Sequence, residues 1–187
     1  GTDETIGSDT ALNTALEAID KIRDTATSME RIFIIEVMGN NSGYLAMQVA
    51  LGSGAEEVII PERKTDYQKM LKDIVEGNRK GKISWMIVVA EGAGKAADIA
   101  ARITKLTGLE TRFVVLGHIQ RGGTPVASDR ILATRLGAAA VNALLQGQYG
   151  KAIGVLQDRI NIVSLSAAAN RVKLHLNEDY QLLKVLT

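Results

Sequence analysis

Residues 113–125 read FVVLGHIQRGGTP, an apolar run followed by a histidine, an arginine, glycines and a proline. The apolar part predicts a strand, and open α/β sheets bind ligands where their strands end. Arginine offers a planar fork of donors that suits phosphate, and glycine lets backbone N–H groups approach an anion. A plain strand-to-helix loop with a surface arginine would have much the same composition. By itself the stretch therefore leaves a phosphate site and an ordinary loop open.

Apolar strands alternate with amphipathic helices along most of the chain. Ser8 can cap a first helix through about residue 27. Strands are predicted over 32–37, 57–60, 85–90, 112–116, 154–156 and 160–163, and helices over 43–51, 66–78, 96–106, 127–145 and 177–186. We expect Asp129 to help to start the helix over 127–145. The alternation predicts an α/β fold, a three-layer α/β/α sandwich with a mainly parallel sheet.

The predicted topology brings several polar residues to one place. Right-handed crossovers between parallel strands put the strand carboxyl ends at one edge of the sheet. Gly39, Glu91 and His118 each follow a predicted strand, so we expect them to face a single site. Arg31 and Arg112 open strands instead. Because strands of about five residues span roughly 17 Å, both arginines should lie at the opposite edge.

Composition limits the classes of function. The chain has 187 residues, of which 46% are hydrophobic, enough for a substantial core. A net charge of +1 gives no bulk attraction to nucleic acid or to a membrane, so neither is expected as a partner. The absence of cysteine excludes disulfides and thiolate metal sites. No signal-peptide pattern and no apolar run long enough to span a bilayer is apparent, which predicts a cytoplasmic protein.

Several motifs occur in a fixed order: GTD at 1–3, IGSDTALNT at 6–14, IDKIRDTA at 19–26, RIFIIEVMG at 31–39, VVAEG at 88–92 and VLGHIQRGG at 115–123. By these motifs the chain resembles the C-terminal portion of the 6-phosphofructokinase family. The resemblance runs from Gly1 to about Gly154 and is weak from Val155 to Thr187. It implies a phosphofructokinase-like division, with a substrate and effector domain over 1–119, a segment of a largely missing nucleotide-side domain over 120–170, and a return to the first domain over 171–187.

The resemblance also implies an activity. Members of the family transfer a phosphoryl group from MgATP to fructose 6-phosphate in glycolysis, which gives fructose 1,6-bisphosphate. Such a transfer needs positioning, charge neutralisation and a base near the attacking hydroxyl. The family's aspartate base, its nucleotide loops and its Mg²⁺-binding aspartate would lie before Gly1. We therefore expect no catalytic residue among the 187 residues, and no activity from them alone.

The substrate residues carry over position by position. His118 and Arg121 match the family's binders of the 6-phosphate, and Glu91 matches a carboxylate that holds sugar hydroxyls. The remaining matches are Met38 and Gly39 beside the reacting hydroxyl, Asn40 next to them, and Arg31 and Arg112, which would reach into a neighbouring subunit's site. Asn40 stands where many bacterial members have arginine, which puts in doubt a cationic contact near the transferred phosphate.

A second group resembles the family's effector site, which binds ADP or phosphoenolpyruvate between subunits. Its members would be Arg23, the loop of Gly54, Ala55 and Glu56, and the basic residues Lys80 and Lys82. Glu56 would be a ligand of the effector's Mg²⁺. Ile83 stands where a further basic residue is common, so allosteric control could be altered or lost. The resemblance implies a homo-oligomer, a tetramer in the family.

Other interpretations stay open at this point. A pyrophosphate-dependent relative would share all these motifs, since the residues that select the donor lie upstream. A non-catalytic sugar-phosphate or nucleotide-binding assembly module would also lack the base and the nucleotide loops. Taken singly, Glu91 could be a surface acid, His118 a structural histidine, and residues 79–82 an ordinary cationic helix end.

Overall fold

The computed structural model describes residues 2–29, 31–82, 84–170 and 174–187. The chain divides into two compact units. The larger unit comprises Leu12–Gly122 and Leu174–Thr187. The smaller unit comprises Gly1–Ala11 and Gly123–Lys173. The sequence assigned residues 1–11 to the first predicted domain, whereas the structure groups them with the later segment.

A parallel sheet of four strands forms the centre of the larger unit. The strands are β1 (Ile32–Val37), β2 (Glu57–Ile59), β3 (Trp85–Ala90) and β4 (Thr111–Val115), in the order β2-β3-β1-β4. β1 pairs Val37 with Ala90 on one side and Glu36 with Val115 on the other. The ends of β1, β3 and β4 therefore lie side by side at one edge.

Helices cover both faces of this sheet. The helices along the chain are α1 (Ser8–Met29), α2 (Tyr44–Ser53), α3 (Tyr67–Arg79), α4 (Ala96–Thr107), α5 (Ala127–Leu145), α6 (Leu165–Ala169) and α7 (Asn177–Leu186). Apolar side chains of α1, α2 and α7 pack on one face, and those of α3 and α4 pack on the other. The predicted α/β fold with helical layers on a mainly parallel sheet is thus confirmed.

Alternation along β1 divides its side chains between the two cores. Ile35 and Val37 enter the core below α1 and α2, while Ile34 enters the core below α3 and α4. Glu36, only 5% exposed, follows Ile34 on the second face. Its carboxylate accepts the backbone N–H of Ala96 at 2.8 Å and lies 3.4 Å from Lys95 Nζ, so it satisfies the first turn of α4.

Most predicted elements agree with the structure. The bounds predicted for β1, β3, α5 and α7 are confirmed. The sequence missed α6 and a short 3₁₀ turn at Gly117–Arg121, which directly follows β4. Among the helices of the described ranges, none has the length and hydropathy required to cross a bilayer.

The smaller unit contains α5, α6 and an antiparallel hairpin of β5 (Lys151–Leu156) and β6 (Arg159–Ser164). The N-terminal segment of the chain is bound to this hairpin. Asp3 donates its N–H to the Val155 carbonyl at 2.7 Å, and Val155 donates its own N–H to Thr2 Oγ1 at 3.0 Å. The contacts explain why residues far apart in sequence belong to one unit.

Asp129 lies in the first turn of α5, where the prediction placed it, but it is not the cap of that helix. Val126 precedes α5 without a side-chain cap, and the Asp129 carboxylate binds the beginning of α1 instead. It accepts the backbone N–H groups of Gly7 and Thr10, both at 2.8 Å, and the Thr10 hydroxyl at 2.5 Å. Burial raises the pKa of Asp129, but these hydrogen bonds outweigh burial and hold the pKa below its ordinary value.

Asp129→Ala is expected to lower the free energy of unfolding by about 1–3 kcal/mol, because donors at the start of α1 lose their acceptor. Since the folded-state pKa is lowered, this stabilisation is present above the ordinary aspartate pKa and is lost as the pH falls through the folded value. Urea denaturation at neutral and acidic pH measures both effects. Glu4→Ala, at an exposed acid of the same unit, is the control, and equal stability of the two variants would contradict the assignment.

Candidate functional site

The loops that follow β1 and β3 meet at the carboxyl edge of the sheet. Gly39 and Asn40 donate their backbone N–H groups to Glu91 Oε1, at 3.0 and 2.6 Å. Met38 donates its N–H to Gln120 Oε1 at 2.9 Å. The structure therefore brings Met38, Gly39, Asn40 and Glu91 together, as expected from the topology. It adds Gln120, which the sequence analysis missed.

Glu91 is an ionised acceptor with one oxygen to spare. The backbone N–H groups of Asn40 and Gly39 hold its pKa below the ordinary glutamate value, with further help from the charges of Lys95 and Arg121. Both loop N–H groups bind Oε1. Oε2 makes no hydrogen bond within the described ranges, so it can accept from a ligand hydroxyl.

The loop after β1 fits tightly against the loop after β3. Asn40 has φ +53°, a left-handed conformation that asparagine tolerates better than most residues. A Cβ atom added at Gly92 would lie 2.1 Å from the Asn40 carbonyl oxygen, so only glycine fits there. The backbone conformation of Asn40 therefore depends on the close approach of Gly92 as well as on the residue type at position 40.

The 3₁₀ turn after β4 carries the two predicted phosphate binders. Its backbone is joined to β1 through the Leu116 N–H, which donates to the Glu36 carbonyl at 3.0 Å. His118 and Arg121 are both exposed, and neither side chain makes a hydrogen bond or ion pair with the described part of the chain. Their donors thus remain available to an anion next to Glu91, whose carboxylate is within the electrostatic reach of Arg121.

Arg31 and Arg112 lie at the other edge of the sheet. Both bind one carboxylate, since Glu110 is 2.9 Å from Arg31 Nε and 2.6 Å from Arg112 Nη2. Hydrogen bonds from Arg31 and Arg112 lower the pKa of Glu110. The structure therefore does not bring these arginines to Glu91 and His118 within one subunit. Glu110 gave no signal in the sequence, because its role depends on β1 and β4 being neighbours.

Most of the predicted effector residues gather around the end of α2. Lys82 Nζ lies 3.1 Å from Glu56 Oε1, and Glu56 Oε2 accepts the Met86 N–H at 2.6 Å. Arg23 donates to the Ser53 carbonyl and approaches the Met86 sulfur at 3.8 Å. Gly54, with φ +64°, ends α2 in the left-handed conformation.

Other residues of this region differ from the expectation. Lys80 is exposed at the C-terminal end of α3, and no ion pair among the described residues joins its side chain to the group. Ile83 lies outside the described residues. Lys184 of α7, which was not predicted, donates to the Glu56 carbonyl at 3.0 Å.

Glu56 is paired with donors of its own chain, and its role as a ligand of an effector's Mg²⁺ stays a prediction. Both of its oxygens already face donors, from Lys82 and from Met86. Divalent cations of this kind need several oxygen ligands. No group of three or more histidine, cysteine, aspartate or glutamate side chains suited to a metal occurs in the parts of the chain that are described. The Glu56 carboxylate pairs with Lys82.

The fold and the polar loops at its carboxyl edge define an α/β protein with a candidate ligand site at the strand ends. The sequence profile of the family Phosphofructokinase matches residues 1–144. The chain belongs to the phosphofructokinase family. An ATP-dependent 6-phosphofructokinase of Brevibacillus brevis is 53% identical over the whole chain, and one of Bacillus subtilis is 47% identical over the whole chain. The chain spans 58% of the first protein and 59% of the second.

Solved structures agree with this assignment. A phosphofructokinase of Saccharomyces cerevisiae matches 98% of this chain and 24% of its own, with a TM-score of 0.80 and 37% identity. A pyrophosphate-dependent phosphofructokinase of Marinobacter aquaeolei matches 96% of this chain and 54% of its own, with a TM-score of 0.74. At 24% identity, the second comparison supports the fold alone.

Gly92→Ala is expected to destabilise the protein by about 1–3 kcal/mol, because the new methyl group must displace the Asn40 carbonyl or distort its own loop. Gly94→Ala is the matched control, since its Cβ would meet only Ile99 Cδ1, at an ordinary 3.5 Å. The control should be neutral or stabilising by up to about 1 kcal/mol through chain entropy. Denaturant unfolding of both variants checks this, and a Gly92→Ala variant as stable as Gly94→Ala would contradict the close contact.

Proposed function

We propose that this chain supplies the sugar-phosphate side of an ATP-dependent 6-phosphofructokinase, which phosphorylates the 1-hydroxyl of fructose 6-phosphate in cytoplasmic glycolysis. The observation that carries the proposal is the arrangement at the carboxyl edge of the sheet. His118 and Arg121, both exposed, follow β4 at the edge where the Glu91 carboxylate follows β3 and keeps one oxygen open, and the charge of Arg121 reaches that carboxylate. The names of relatives at about half identity support ATP as the donor.

The chemistry of each group suits one part of this substrate. A phosphate dianion attracts His118 and Arg121, and each charge-assisted hydrogen bond contributes about 1.5–3 kcal/mol. Glu91 Oε2 suits sugar hydroxyls, because a carboxylate accepts hydrogen bonds and repels phosphate. Met38 and Gly39 would lie beside the reacting hydroxyl. Asn40 takes part through its backbone N–H, which binds Glu91.

We assign no residue of this chain to the binding of the phosphoryl donor. ATP with Mg²⁺ would supply the phosphoryl group, and no residue of this chain is assigned to hold the metal. The base is expected from the segment that precedes these motifs in the family. The division into a substrate and effector domain and a segment of a nucleotide-side domain belongs to the same proposal. A chain that binds sugar phosphate but never carries out transfer in its full-length context would support the alternative, a non-catalytic module.

Arg121→Ala in the full-length protein is expected to raise KM for fructose 6-phosphate by about tenfold or more, because one phosphate contact of about 1.5–3 kcal/mol is lost. The contact lies away from the bond being made, so kcat should change much less. Coupled-enzyme kinetics measure both quantities. Arg159→Ala, at an exposed arginine of β6, is the control. A collapsed kcat at unchanged KM would overturn the assignment of Arg121 to the 6-phosphate.

We infer further that the substrate site is shared between subunits of a homo-oligomer, a tetramer by family resemblance. Arg31 and Arg112 lie at the edge opposite Glu91, bound to Glu110. They can contact a bound substrate only if it lies across a symmetric interface, in the site of another subunit. The Arg112 side chain, 58% exposed, retains donors that could reach a partner.

Mixed oligomers test this sharing. Full-length Arg112→Ala and Arg121→Ala proteins should each be impaired, whereas oligomers assembled from both should regain some sites in which both arginines are present. Activity is measured after the mixed composition has been verified by native mass spectrometry. Mixed oligomers that show no gain over their parents would place the complete site within one subunit.

The group around Glu56 is proposed as an effector site for ADP or phosphoenolpyruvate. Its supporting observation is that Lys82, Arg23 and Glu56 come together at the end of α2. Lys82→Ala should reduce the shift in fructose 6-phosphate affinity that either effector causes, because a phosphate partner is removed. Calorimetry with and without effector measures this coupling, and Lys105→Ala in α4 is the control. A wild-type protein that binds neither effector would refute the proposal.

A further inference from the structure

Successive backbone N–H groups at the end of β1 donate to side chains from two different loops. Met38 donates to Gln120 at 2.9 Å, and the next two residues, Gly39 and Asn40, donate to Glu91. Glu91 lies directly after β3, and Gln120 lies in the turn after β4. The loop over 38–40 is therefore clamped from the two strands on either side of β1.

Gln120 differs from its neighbours in the turn. Its side chain is 2% exposed, whereas Ile119 is 67% exposed and His118 and Arg121 also face solvent. A buried amide is stable only when its polar atoms are hydrogen-bonded. Its Oε1 accepts a hydrogen bond from the N–H of Met38, the first residue after β1. Gln120 is thus the side-chain link between the turn and the loop.

The clamped loop has a conformation that needs support. Asn40 has φ +53°, and its carbonyl oxygen lies so close to Gly92 that no Cβ could fit at that position. Backbone held in a sparsely populated region persists where the surroundings determine it. Glu91 supports the far part of the loop, and Gln120 supports its near part at Met38.

We propose that Gln120 is a positioning residue, which fixes the spacing between the turn that carries His118 and Arg121 and the loop over 38–40. The inference rests on the proposed function, in which the turn binds the 6-phosphate and the loop lies beside the reacting hydroxyl. Gln120 would touch neither end of the sugar. Its hydrogen bond to Met38 would set where one end of the site stands relative to the other, and phosphoryl transfer depends on such alignment.

Gln120→Met in the full-length protein keeps the volume of the side chain and removes the acceptor. We expect kcat to fall about tenfold, the scale of one neutral hydrogen bond, while KM for fructose 6-phosphate changes less than about threefold. Gln120→Glu keeps an oxygen at the same reach and should recover most of the loss. A purely structural role would instead lower thermal stability with no such recovery, and a direct ligand would raise KM.

Hydrogen exchange gives a readout that needs no activity. In Gln120→Met, the Met38 amide should exchange faster, while the Ile35 amide within β1 should not change. Gln181→Met, at an exposed glutamine of α7, is the control for both measurements.

The outcomes separate the two proposals. A wild-type full-length protein without activity on fructose 6-phosphate overturns both. An active wild type in which Gln120→Met leaves kcat unchanged, or raises only KM, overturns this inference alone. Unchanged exchange at Met38 would show that the hydrogen bond does not hold the loop, which also overturns it. A lowered kcat with recovery in Gln120→Glu and faster exchange at Met38 supports it.

Discussion

Parallel pairing of β1 with β3 and β4 is the constraint on which the rest of the structure depends. Both faces of β1 are buried, one below α1 and α2 and the other below α3 and α4. A slip of one residue would exchange the two sets of side chains, so burial specifies the register. With that register, all carboxyl ends share one edge, and the loops after them come into hydrogen-bonding distance.

The same pairing separates two kinds of charged residue. At the carboxyl edge, His118 and Arg121 point outward with their donors available. At the amino edge, Arg31 and Arg112 share the Glu110 carboxylate. An ion pair at the surface contributes little to stability. A competing anion could therefore displace Glu110 from these arginines at a small cost in free energy. One sheet thus presents cationic groups at both of its edges.

Acceptors of backbone N–H groups hold the irregular parts in place. Glu36 supports the start of α4, Asp129 supports the start of α1, and Glu91 and Gln120 support the loop after β1. The N–H groups at helix starts and in loops have no partner in regular structure, and a buried one without an acceptor costs free energy. An acidic or amide side chain from a distant element can therefore have a structural role without contacting any ligand.

These acceptors lie far along the chain from the N–H groups that they bind, which explains why the sequence predicted the elements but not these contacts. The bounds of β1, β3, α5 and α7 followed from apolar periodicity and turn residues, which are local properties. The hydrogen bonds of Asp129 with Gly7 and Thr10 were not predicted, because these partners lie more than a hundred residues earlier, at separations of 122 and 119. Lys184 was missed for the same reason, and Glu110 was missed because its contact with Arg31 depends on β1 and β4 being neighbours.

The sequence by itself determined the alternation of strands and helices, and with it the α/β class, because apolar spacing is set by the period of each element. It also determined that Gly39, Glu91 and His118 follow strands, and its motifs identified the family. Only the tertiary structure decided which acceptor meets which N–H group, and that Gln120 is buried while Arg121 is exposed. Those outcomes depend on the order of strands in the sheet and on the packing of distant segments, which no local pattern encodes.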